Sequence, residues 1–155
     1  MFSRLRRSLG HFAGRQQGSV AVEFALISPL FLLLVFGIVD FGHATYMKQV
    51  ISNASRDAAR YATKYHTDTN GVQVKPNALN PTVSAWITSK YSGLLPSDAN
   101  IQVFPTGPGY TGGNPGDHLS VQVQATKNWF VLGSLLPGIL SDHVDLKATT
   151  VMKCE

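Results

Sequence analysis

The chain has 155 residues, a formal net charge of +4, one cysteine and 14% charged residues. A hydrophobic share of 44% is ordinary for a globular protein and excludes a disordered tail protein or a collagen-like repeat. Cys154 stands alone, so no disulfide scaffold forms within the chain, and the length favours one domain with an appendage.

The positive charge is concentrated at the start. Residues 1–18 hold Arg4, Arg6, Arg7 and Arg15 and no acid. Removing those four from 13 Lys+Arg leaves nine, equal to the nine Asp+Glu. The basic excess therefore belongs to an N-terminal leader and not to a folded domain. Nucleic-acid binding, which needs a basic patch on the domain itself, is not expected.

Next comes FALISPLFLLLVFGIV, Phe24 to Val39, 16 residues without a charge. Extended to Ser19–Phe41 it makes a helix of roughly 34 Å at about 1.5 Å per residue. That length crosses a bilayer core of about 30 Å, with Glu23 and Asp40 close to the two interfaces. A secretory signal peptide fits less well. The apolar block is long, and Gly42–His43–Ala44 is a poor cleavage site. A buried core helix also fits poorly, because the chain has too little else to cover such a helix all round. Pro29 removes one backbone donor and should bend the helix. The Arg-rich start stays cytoplasmic and the residues beyond Phe41 are exported.

The helix continues past the membrane to about Tyr65. Met47, Ile51, Ala54, Ala58, Tyr61 and Tyr65 recur at steps of four and three, a heptad-like stripe. Small Ala54 and Ala58 allow close approach of either the chain's own sheet or a neighbouring subunit. Asp57 and Arg60 read as a solvated surface pair. Residues 66–80 read as a connection with turn chemistry at Asn70–Gly71. Asn80–Pro81 reads as the start of a short helix, with Asn as cap. Val83, Trp86, Ile87 and Tyr91 form its apolar face, and Gly93 ends it. Asn100–Phe104 is a strand candidate, and Pro105–Asp117 is a Gly- and Pro-rich loop. His118–Thr126 alternates cleanly, with Leu119, Val121, Val123 and Ala125 on one face. An apolar, broken stretch, Asn128–Leu140, leads to a last strand, His143–Lys153. The fold class is α+β: a long transmembrane-plus-amphipathic helix carrying a small antiparallel sheet.

Chemistry is sparse. Asp117–His118 and Asp142–His143–Asp145 are better read as polar strand starts after turns than as a metal set. No nucleophile, base and orienting group can be named together, so neither an enzyme nor a cofactor is expected. The glycines of residues 107–116 lack the Gly-Lys-Ser/Thr ending of a phosphate loop.

The run GSVAVEFALISPLFLLLVFGIVDFG, followed by NASRDAARYA, resembles the TadE-like family of the tight adherence pilus system. The resemblance is specific over Arg15–Thr63. It is compositional in the tail, where an alternating strand, a Leu-Leu-Pro-Gly-Ile-Leu stretch and a final strand ending near a Glu follow one another. The resemblance implies a pilin-like fold and prepilin-peptidase cleavage between Gly18 and Ser19, with Glu23–Phe24 completing the processing motif. It implies a minor pilin or pseudopilin of the bacterial inner membrane with a periplasmic head, entering or priming an extracellular fibre. The implied partners are the peptidase, other pilin subunits, inner-membrane assembly proteins and the lipid bilayer. Glu23, Pro29, Met47, Ile51, Ala54 and Ala58 become candidate assembly residues. Glu23 either pairs with the new amine of a neighbour's Ser19 or is solvated at the interface; the family favours pairing. An uncleaved bitopic scaffold is the alternative. A second is a membrane-anchored module binding ligands through Pro105–Asp117. The segments expected are a leader (residues 1–18), a span (19–41), an exported helix (42–65) and a head (66–155).

Overall fold

The computed structural model describes residues 13–135, 138 and 141–155, with side chains from residue 18 onward except that of Leu135. Arg4, Arg6, Arg7, the side chain of Arg15, and part of the Leu-Leu-Pro-Gly-Ile-Leu stretch lie outside the described residues. Helix α1, Ala13–Thr63, is assigned without interruption through Pro29. It is long because its sequence offers no stop. Apolar residues give way directly to an amphipathic stretch of Ala, Arg, Lys and Gln, all good helix formers. Two compact units divide the chain, one ending at Val39 and one running from Asp40 to Glu155.

In the first unit the helix is apolar and uncovered. Phe24 is 71% exposed, and Leu26, Ile27, Leu30 and Phe31 are exposed around it. An apolar surface on this scale calls for a non-aqueous surrounding or a partner.

The second unit, the head, holds a three-stranded antiparallel sheet in the order β1–β2–β3. Strand β1 is Gln102–Thr106, β2 is His118–Asn128 and β3 is His143–Lys153. The central strand pairs Val103 with Val123 on one side and Ala148 on the other. The β2–β3 ladder is unbroken from His118↔Lys153 to Asn128↔His143. Period-two alternation buries Leu119, Val121, Val123 and Ala125, as the sequence pattern leads one to expect. These residues meet Met47, Ile51, Ala54 and Ala58 of α1 in one core. The stripe from Met47 to Ala58 is thus covered by the chain's own sheet, while Tyr65 lies past the end of the helix and is exposed. Small residues at 54 and 58 let the helix come close. Ser55 and Thr150 share a hydroxyl hydrogen bond of 2.8 Å from helix to β3. Lys48 donates to the carbonyl of Lys147, and the Glu155 amide donates to the Thr63 carbonyl.

Helix α2, Val83–Tyr91, adds Val83, Ile87 and Tyr91 to the core. Its cap is Thr82, whose hydroxyl accepts from the Ala85 amide at 3.2 Å, and not Asn80 as the sequence suggests. Asn80–Pro81 lies before the helix. Trp86 stacks on Tyr61 with ring centroids 4.6 Å apart.

The Gly- and Pro-rich segment is more ordered than the sequence reading allows. Strand β1 runs on to Thr106, and a short helix α3, Pro108–Gly112, follows. Gly107 makes the turn between them at φ +103, where a Cβ would stand 2.7 Å from the His118 carbonyl oxygen. Only glycine fits such a conformation and such an approach. A last helical turn, α4, is Leu132–Leu135.

Candidate functional site

Two groups of side chains bear on function, one in each unit. The first is the candidate processing and assembly motif. Gly18, Ser19, Glu23 and Phe24 all lie inside α1 and are all exposed. A Cβ at Gly18 would meet nothing within 4 Å. Pro29 is exposed on the same helix. Of the other candidate assembly residues, Met47, Ile51, Ala54 and Ala58 are buried in the head. The structure therefore separates the set. Residues up to Pro29 face outward, and the stripe from Met47 onward is packed against β2.

The second group is one that sequence reasoning missed. Asp40 is fully buried and Lys127 is 1% exposed. Their side chains meet at 3.3 Å, forming a buried ion pair. Lys127 lies on β2 two residues after Ala125, so the alternation that buries the apolar face also buries this lysine. Asp40 also accepts three backbone hydrogen bonds. The Phe130 amide donates to Oδ1 at 2.8 Å, and those of Val131 and Leu132 donate to Oδ2 at 3.2 and 3.1 Å. These amides run into the start of α4, where backbone donors have no partner of their own. Lys127 donates to the Asn128 carbonyl as well and sits over the Phe130 ring, 4.2 Å from its centroid. Burying two charges is costly unless they are paired and their remaining valences are filled. Here four further hydrogen bonds fill them.

Aromatic rings surround this pair. Phe41 meets Trp129 edge to face at 5.9 Å, and His43 lies 4.8 Å from Phe130. A cleft of about 250 Å³ opens beside them, lined by His43, Met47, Lys127 and Trp129 among others. Asp40 could have been found in the sequence. It falls one heptad before Met47, on the stripe itself.

Farther along α1, Asp57 does not pair with Arg60. It takes Lys90 at 2.6 Å and the Tyr91 hydroxyl at 2.8 Å, tying α1 to α2. The Lys90 hydrogen bond, with help from Tyr91, holds the Asp57 carboxyl below its ordinary value. Burial, and then the bond to Asp57, push the Tyr91 phenol up to about 12. A cleft of about 400 Å³ is lined by Asn53, Arg56, Asp57, Arg60, Tyr91 and Met152. Cys154 is buried and donates weakly to the Gly109 carbonyl at 3.6 Å. Burial, and then the charge of Asp117, raise its thiol above the usual range, which favours the inert protonated form.

One helix among the described residues, Gly18–Thr63, is long and apolar enough to cross a membrane. No curated protein and no solved structure matches the chain. A family model does, that of TadE-like protein, over residues 18–60. The matched segment opens at Gly18, takes in the exposed apolar helix and Asp40, and stops at Arg60, ahead of the sheet. Over the helix that the sequence singled out, the chain is thus similar to TadE-like protein.

Proposed function

We propose that this protein is a minor pilin or pseudopilin of a tight adherence pilus, processed by a prepilin peptidase between Gly18 and Ser19. The observation that carries the reading is the family match beginning at Gly18, on a helix whose apolar surface is uncovered. The leader, residues 1–18, stays cytoplasmic by its arginines. Residues 19–41 cross the inner membrane once. The exported helix, residues 42–65, and the head, residues 66–155, stand in the periplasm until the subunit enters or primes a fibre.

The local physics is favourable to cleavage. Glycine inside a helix costs about 0.5–1 kcal/mol relative to alanine. The helix therefore opens more readily at Gly18 than at its apolar neighbours. Cleavage removes all four leader arginines and creates an amine at Ser19. Glu23 then lies about one helical turn from that amine. A carboxylate held in lipid without a counter-charge is costly. Pairing with a neighbour's Ser19 amine relieves that cost and sets the axial register between subunits.

The test is the N-terminus of the mature protein, read by mass spectrometry from membranes with and without prepilin peptidase. A start at Ser19 that appears only with the peptidase is expected. A start at Met1 in both overturns processing and leaves an anchored scaffold of the same machine.

A further inference from the structure

The aromatic rings around Asp40 have no role in the core. Phe41 is 62% exposed and Phe130 is 58% exposed. Trp129 is partly exposed and meets Phe41 edge to face. The sequence from Asn128 to Ser141 carries no charged side chain. The Asp40 carboxylate holds the amides of Phe130, Val131 and Leu132. That carboxylate belongs to the last turn of the membrane-spanning stretch. Phe130, Val131 and Leu132 of this segment are therefore held at Asp40, where on the proposed reading the helix leaves the lipid. Aromatic side chains, and tryptophan above all, concentrate at that level, with rings among the lipid headgroups. Lys127 brings the buried cation beneath the same rings, 5.3 Å from the Trp129 centroid.

We propose that Phe41, Trp129 and Phe130 form a lipid-seated foot, by which the head rests in the headgroup layer of the bilayer that α1 crosses. This rests on the single-pass anchor of the proposed function, but not on cleavage or fibre entry. The occupant is lipid because Phe41 ends the proposed span in sequence, and the uncharged residues beside it are tied to Asp40, its neighbour in the chain. The contact is shallow, since Asp40 and Lys127 close the segment off behind the rings.

The chain has two tryptophans, which makes the test direct. Trp86 stacks on Tyr61, about 31 Å along α1 from Asp40 at roughly 1.5 Å per residue. The full chain carrying Trp86→Phe is reconstituted at low density in phosphatidylcholine–phosphatidylglycerol vesicles. The acyl chains are brominated near the headgroup, deep in the bilayer, or not at all. Shallow bromines should lower Trp129 fluorescence at least twofold, and more than deep ones. The chain with Trp129→Phe, reporting on Trp86, should lose little. Phe130→Asp in the Trp86→Phe background should relieve at least half of the quenching. Should Trp86→Phe disturb folding, the native signal minus that of Trp129→Phe gives the same quantity. Quenching of Trp129 no greater than that of Trp86, in protein still resisting carbonate extraction, overturns the foot and leaves the anchor standing. A photocrosslinker at 130 that captures a second protein chain and no lipid overturns it in favour of a protein contact. Release of the protein by carbonate overturns foot and anchor together.

Discussion

At the scale of single residues, Asp57 and Tyr91 give the head a pH signature. Asp57 ionises more readily when folded, so its bond to Lys90 adds stability above the unfolded carboxyl's ordinary 3.8. That stability is lost as pH falls through the lower folded value. Tyr91 holds its proton more tightly when folded, so the sign reverses. Its contribution is complete below the unfolded value of 10.0 and disappears as pH rises toward about 12. Urea unfolding of the full chain in detergent, measured across pH, should show both limbs. Asp57→Asn should flatten the acid limb below about pH 4, and Tyr91→Phe should remove the loss above about pH 10. Neither residue's partner was legible in the sequence. Asp57 has Arg60 three places away, and local spacing suggested that pair. Lys90 is distant in sequence and reaches Asp57 only because α2 packs beside α1.

At the scale of elements, the joint between α1 and β2 is the feature to test. Removing one member of a buried ion pair costs about 3–5 kcal/mol, because the other is left as an uncompensated charge. The two members are not equivalent here. Asp40 keeps three backbone donors when Lys127 is replaced, whereas Lys127 keeps only the Asn128 carbonyl and two aromatic faces when Asp40 is replaced. Asp40→Ala should therefore cost the full amount, while Lys127→Met, which refills the space with an apolar chain, costs less. Chemical denaturation of the two variants in detergent checks the order. The elements themselves were largely readable. Alternation over Leu119–Ala125 and over β3 reported half-buried strands, and steps of four and three from Met47 reported the covered face of the helix. What alternation did not show is that its inward face ends on a charge. Lys127 was passed over because a lysine ordinarily faces water, and Asp40 because it stood where an apolar run meets the interface. In the Pro105–Asp117 segment glycine density concealed a helical turn, since Gly107 supplies a backbone conformation and not a break in packing.

At the scale of the whole molecule, residues 19–155 are formally charge-balanced and the basic excess lies in the residues before them, the proposed leader. On the proposed reading, the leader arginines hold the N-terminus on the cytoplasmic side before cleavage. In the proposed mature chain the span holds two acids, Asp40 at its far end and Glu23 about one helical turn from the new amine. Glu23→Gln and Glu23→Ala should therefore leave membrane insertion unchanged and lower recovery in sheared fibres at least several-fold. Membrane fractionation beside immunoblotting of purified pili measures both. Entry of the alanine variant into fibres at the native level would remove the pairing role. The family match and the exposed apolar helix agree on this part of the chain, which is why it was the most legible. The head was legible as a fold and silent as to ligand.

The grip on Asp40 has a mechanical consequence. A machine that draws the subunit out of the bilayer applies tension along residues 19–39. That load would enter the second unit at its first residue, Asp40, where the carboxylate is bonded to Lys127 of the central strand and to the backbone of the loop beyond it. Force is thus handed to the sheet at the Asn128↔His143 end of its longest ladder before the rest of the exported helix can peel away.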